Sequence, residues 1–125
     1  VRGERVLVVD DEPVLRQYAV RILNAEGFTV FEAADGREAL MQVEARGGLL
    51  DVVVSDIVMP RLNGVELLQA LSLAHPGLPV LLMSGYGAVE LAAQGIAAPC
   101  AVLAKPFSPE RLVDEVKRCL RSKPS

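Results

Sequence analysis

Val6-Leu7-Val8-Val9 is an unbroken apolar block. A strand with one wet face alternates apolar and polar residues, so a block of this kind suits a parallel strand covered on both faces. The pattern recurs along the chain. The first strand is read as Arg5–Asp10, and Phe28–Ala33, Asp51–Ser55, Pro79–Met83 and Ala101–Ala104 follow it. Between the strands the apolar residues switch to helical spacing. Val14, Leu15, Tyr18, Ala19, Ile22 and Leu23 follow Pro13, a residue suited to a first helical turn, and Gly27 supplies a stop. Asp35 is read as an N-cap with Glu38 as its capping partner, opening a helix that ends near Gly47. A third helix after Asn63-Gly64 carries Val65, Leu67, Leu68 and Leu71 and stops before His75-Pro76-Gly77. Ser108-Pro109-Glu110 opens a last helix with Leu112, Val113, Val116, Cys119 and Leu120 on one face, and the tail Arg121–Ser125 reads as frayed. The weakest segment is Ala88–Gly95, short, Ala-rich and flanked by glycines. Five strand–helix repeats imply an α/β fold with helices on both faces of a parallel sheet. Right-handed crossovers narrow this to a doubly wound three-layer sandwich.

Composition excludes several classes of function. The 125 residues fit one domain, 1–125 with a core over 5–120, and 51% apolar content excludes intrinsic disorder. The net charge of −3, without a basic run, makes nucleic acid a poor partner. No apolar stretch reaches the 18 or so residues of a membrane span, and the N-terminus shows no secretory signal. The chain opens on Val1 rather than Met, which reads as a piece cut from a longer protein. Cys100 and Cys119 lack C-x-x-C spacing and a neighbouring histidine, and are expected to be free, reduced and in a cytoplasmic setting. His75, directly before Pro76, is a loop residue to which no role is given.

Ligands of open α/β sheets bind beyond the carboxyl ends of the strands. Here those ends carry Asp10-Asp11-Glu12, Asp56, Ser84 and Lys105-Pro106, so three aspartates, a hydroxyl and an amine converge. Two unit charges about 4 Å apart repel by roughly 4 kcal/mol at an effective dielectric near 20. A hard divalent cation relieves that repulsion, and all-oxygen ligands with open water positions suit Mg²⁺.

Val8-Val9-Asp10-Asp11-Glu12, Ser55-Asp56-Ile57-Val58-Met59-Pro60, Asn63-Gly64, Met83-Ser84-Gly85 and Lys105-Pro106-Phe107 together resemble the receiver domain of two-component signalling, from Arg5 to about Leu120. The resemblance implies a flavodoxin-like (βα)5 fold with strand order 2-1-3-4-5. It implies that Asp56 accepts a phosphoryl group from a histidine kinase or a histidine phosphotransfer domain. Asp10 and Asp11 would hold Mg²⁺ with Asp56 and the Val58 carbonyl, Asp11 more directly and Asp10 partly through water. Ser84 and Lys105 would meet the phosphoryl group, across a Lys105-Pro106 bond that is cis. Such a domain promotes its own phosphorylation and dephosphorylation without being a kinase, and the family allows a weak phosphorylation-dependent dimer. Contact with a membrane or nucleic acid is not expected.

One position departs from the family. An aromatic residue often stands three before the lysine, and here it is Val102. The readout is therefore expected to shift to the segment from Tyr86 to Pro99, the most weakly anchored part of the chain. The Pro76–Pro79 run and the stretches around Ser84 and Lys105 are most similar to receivers of hybrid sensor histidine kinases; a stand-alone regulator is the alternative. Two other classes fit worse. A haloacid-dehalogenase-type phosphohydrolase needs an acid two residues after the nucleophile, where this chain has Val58. A flavodoxin-like mononucleotide binder needs a Gly/Ser/Thr phosphate loop, where this chain has Asp10-Asp11-Glu12-Pro13.

Overall fold

Alternate residues of each central strand point to opposite faces of the sheet, and both faces are dry. In a computed structural model that describes residues 3–46, 49–85 and 99–122, Val6 and Val8 join one core while Leu7 and Val9 join the other. Val52 and Val54 part from Val53 in the same way, and Leu81 and Met83 from Val80 and Leu82. This division is why the strands read as continuous apolar runs. The strands are β1 (Arg5–Val9), β2 (Thr29–Ala33), β3 (Val52–Asp56), β4 (Val80–Ser84) and β5 (Ala101–Ala104). All pairings are parallel, in the order β2-β1-β3-β4-β5. The chain therefore has the expected doubly wound, flavodoxin-like architecture.

The described helices are α1 (Pro13–Ala25), α2 (Gly36–Ala45), α3 (Gly64–Ala74) and α4 (Pro109–Ser122). Ala19 and Leu23 of α1 and Leu112, Val116 and Cys119 of α4 close one core; Ala39 and Val43 of α2 and Leu67, Leu68 and Leu71 of α3 close the other. Local signals start and stop these helices. Gly27, at φ +103°, ends α1 with bonds from its own N–H to the Asn24 carbonyl and from the Phe28 N–H to the Leu23 carbonyl. That pair of bonds satisfies two orphan carbonyls, and Phe28 and Leu23 share the same core. Asp35 accepts the Glu38 N–H at 2.9 Å, while Glu38 reaches past the cap to the Ala34 N–H at 3.2 Å. Asn63 and Glu66 form a full capping box on α3. No helix among the described residues is long and apolar enough to cross a membrane.

Several sequence-based boundaries shift. The third and fourth strands each run one residue later than expected, so Asp56 and Ser84 are the last residues of β3 and β4. The cause is the ladder itself, which pairs Asp56 with Met83 and Ser84 with Ala104. The first strand stops at Val9, although the Asp10 N–H still bonds to the Ala33 carbonyl at 3.1 Å. Helix α4 carries Arg121 and Ser122, which were expected to fray. His75 ends α3, and its Nε2 lies 3.1 Å from Glu44 Oε1. The expected helix Ala88–Gly95, and all of the Tyr86–Pro99 segment except Pro99, lie outside the described residues.

One expectation is overturned. Cys100 and Cys119 are not free thiols but a disulfide, with 5.4 Å between their Cα atoms. A separation of 19 residues looks unremarkable in sequence, yet β5 and α4 double back on each other across it. The Cys100 N–H is fixed to the Val80 carbonyl at 2.9 Å, and Cys119 is fully buried on the α4 face that packs on this side of the sheet. Both sulfurs are thus delivered to one place by tertiary packing, within the Cα range that a disulfide spans.

Candidate functional site

The site is assembled from the carboxyl ends of neighbouring strands. Asp10 follows β1, is 1% exposed, and accepts the Glu12 N–H on Oδ1 at 2.9 Å. Arg16, one turn into α1, steadies the same corner. Its Nη1 donates to the Asp10 carbonyl oxygen at 2.8 Å, and its Nε pairs with Glu32 at 3.0 Å. Asp11 is exposed at the rim. Asp56 ends the central strand β3 and accepts the Ile57 N–H on Oδ1 at 3.0 Å. One oxygen from each of Asp10, Asp11 and Asp56 lies within 4.8 Å of the other two.

Lys105 closes the cluster from β5. Its Nζ lies 3.1 Å from Asp56 Oδ1 and 3.5 Å from Asp10 Oδ2. Its backbone N–H donates to the Ser84 carbonyl at 3.0 Å, which ties the ends of β4 and β5 together, and the Lys105-Pro106 bond is cis. Ser84 is buried at the end of β4. Val58 is exposed in the loop after β3. Val102 packs inward against the α2–α3 core.

Burial holds the Asp56 carboxyl above its ordinary carboxylate value; Lys105 pulls the other way, and Asp10 adds to the rise. A carboxylate kept in this setting is under-neutralised by one lysine, which is the condition a divalent cation corrects. The donor set fits a hard ion. It is all oxygen, one member is exposed, and one oxygen from each of the three aspartates lies within 4.8 Å of the others, as hard divalent cations prefer oxygen ligands. The bound ion would supply charge neutralisation for an incoming anionic group.

The model of the response regulator receiver domain matches residues 6–117. The chain belongs to this family. The receiver domain is 44% identical over 117 residues to the sensor kinase CckA of Brucella abortus, covering 92% of this chain and 12% of that protein. It is 41% identical over 117 residues to the probable transcriptional regulatory protein TcrX of Mycobacterium tuberculosis, covering 93% and 49%. The crystal structure of the receiver domain from the hybrid histidine kinase CckA superposes with a TM-score of 0.77 at 37% identity, covering 93% and 98% of the two chains. The receiver domain therefore spans half or less of these two curated relatives.

Of the strand-end residues singled out in the sequence, Asp10, Asp11, Asp56 and Lys105 come together, and Ser84 joins Lys105 through its backbone carbonyl. Sequence reasoning missed two groups around them. Arg16 was visible only as a polar residue on α1, although its place four residues after Glu12 puts it on the turn beside the acids. Arg61, in the loop after β3, pairs with Asp35 at 2.9 Å. No local signal points to that contact, because Arg61 reaches it from a left-handed backbone, at φ +67°.

Proposed function

We propose that this receiver domain, one unit with its core over 5–120, accepts a phosphoryl group from a phosphohistidine onto Asp56 in a Mg²⁺-dependent reaction. The observation that carries the reading is the place of Asp56. It ends the central strand, with an amine 3.1 Å away and two further aspartate oxygens within 4.8 Å. An Asp56 oxygen attacks phosphorus, the bond from phosphorus to the donor imidazole nitrogen breaks, and an acyl phosphate results. Phosphoryl transfer depends mainly on positioning and charge neutralisation, so a weak nucleophile suffices. Asp10, Asp11, Asp56 and the Val58 carbonyl are the residues that would hold Mg²⁺. Lys105, already on Asp56, would turn to the phosphoryl oxygens, and Ser84 would hydrogen-bond them from the neighbouring strand. That movement draws on β4 and β5 and is the start of the signal.

The donor is a histidine kinase or histidine phosphotransfer domain. Its landing place is the apolar rim beside Lys105, where Val14 and Leu15 of α1 are exposed and the Tyr18 ring lies tilted against Phe107 with ring centroids 5.9 Å apart. The similarity to CckA favours the receiver of a hybrid sensor histidine kinase, working in the cytoplasm; the similarity to TcrX supports a separate regulator as the second reading. The cytoplasmic placement rests on the donor, since a disulfide is uncommon there.

With a small phosphodonor and Mg²⁺, the protein should gain one hydroxylamine-labile phosphoryl group, measured by intact mass. Asp56→Asn should gain none. A label that survives in Asp56→Asn, or that resists hydroxylamine, would overturn the assignment.

A further inference from the structure

The loop of residues 57–63 between β3 and α3 carries Val58, whose largely exposed side chain adds little burial to hold the loop. Its backbone position is therefore set by the residues that flank it. On one side the Gly64 N–H bonds to the Ile57 carbonyl at 2.8 Å, in contact so close that a Cβ on Gly64 would lie 2.3 Å from the Asp56 carbonyl oxygen. On the other side the loop is held by the start of α2. The Leu62 N–H reaches the Pro60 carbonyl at 2.7 Å across Arg61, which makes a tight three-residue turn around a left-handed residue. Thus turned, Arg61 Nε meets Asp35 Oδ2 at 2.9 Å, while the other Asp35 oxygen caps α2. The Leu62 carbonyl accepts the Gly36 N–H at 3.1 Å.

For the backbone alone, glycine or asparagine would serve position 61 better than arginine. The arginine side chain is what the position uses, and its partner Asp35 is almost wholly buried. Between Arg61 and Val58 stand only Pro60, with its restricted φ, and Met59, which is buried in the α2–α3 core.

We propose that Asp35 and Arg61 form a clasp that sets the shape of the β3–α3 loop, and through it the position of the Val58 carbonyl, so that two residues outside the aspartate cluster tune its affinity for Mg²⁺. The inference rests on the reading of Asp10, Asp11, Asp56 and Val58 as a cation site. Both members act as positioning residues, because neither touches the cluster.

The test is Mg²⁺ titration of the whole chain, followed by amide chemical shifts, with thermal midpoints measured alongside. Asp35→Asn keeps a capping oxygen and Arg61→Asn tolerates the left-handed backbone, so each removes the ion pair with little other damage. Each should weaken Mg²⁺ binding about tenfold, the lower end for groups that orient metal ligands. The double variant should be no weaker than either single, as expected of residues acting as one unit. Arg61→Gly, which suits the backbone best, carries the test if Asp35→Asn fails to fold. The clasp is overturned if Asp11→Ala weakens Mg²⁺ binding while the clasp variants leave it unchanged, or if the two single effects multiply in the double. No Mg²⁺ binding by the unaltered protein would overturn the cation site itself and the clasp with it.

Discussion

Asp56 carries its charge where charge is costly. Burial raises its carboxyl against the pull of Lys105 and with the help of Asp10. A carboxyl raised on folding is bound to its proton more tightly in the native than in the unfolded chain. Its contribution to stability is whole below the unfolded value and is lost as pH rises through the folded value. At neutral pH without Mg²⁺, the ionised Asp56 therefore opposes folding. Asp56→Asn should raise the thermal midpoint in metal-free buffer at pH 7, and the gap should close as the pH falls below the ordinary carboxylate range. A lower midpoint for Asp56→Asn at pH 7 would mean that the Lys105 pair outweighs burial. Asp35 is the opposite case. The Glu38 N–H first, and then Arg61, hold its carboxyl below the ordinary value, so its contribution is whole above that value and lost as pH falls through the lowered one. The strand-end acids, Ser84 and Lys105 were legible in the sequence because the parallel fold dictates where strand ends meet. Arg61 was not, because its contact depends on a backbone angle that arginine seldom adopts.

At the scale of elements, the informative junction is the start of α2. Glycine at a helix position usually costs about 0.5–1 kcal/mol relative to alanine. Gly36 should reverse that sign, because a Cβ there would lie 2.3 Å from the Leu62 carbonyl oxygen and 2.8 Å from the Leu62 Cβ. Gly36→Ala is expected to destabilise the fold by about 1–3 kcal/mol in denaturant titration, the range for overpacking a rigid contact. A neutral or stabilising effect would show that α2 and the β3–α3 loop can part without cost. The helix start at Asp35 and the stop at Gly27 were legible because each is a local hydrogen-bond problem with few solutions. The ends of β3 and β4 were not. A strand ends where its neighbour stops offering partners, and that neighbour lies twenty or more residues away in sequence.

Across the whole molecule, the sheet separates two cores, and the disulfide staples one of them. Cys100 and Cys119 join the entrance of β5 to α4 and enclose Lys105 within the closed loop. A loop near this size is expected to contribute about 3 kcal/mol by restricting the unfolded chain. Reduction, or replacement of both cysteines by alanine, should lower stability by that order in denaturant titration. The oxidised protein should show no reactive thiol after unfolding without reductant. Two titratable thiols under those conditions would mean that the bridge does not form.

The sequence alone determined the layers and the chemistry at the strand ends. Apolar periodicity is set residue by residue, and a parallel sheet leaves the charged residues that follow each strand only one edge to share. Tertiary structure decided what depends on distant segments meeting. It brought two cysteines 19 residues apart to 5.4 Å, carried Asp56 and Ser84 into the ladder, and turned Arg61 back onto Asp35. These contacts form only when β5, α4 and the β3–α3 loop settle against neighbours that no local pattern encodes. Local signals record what a short stretch prefers, and long-range contacts are selected by packing after those preferences have been met.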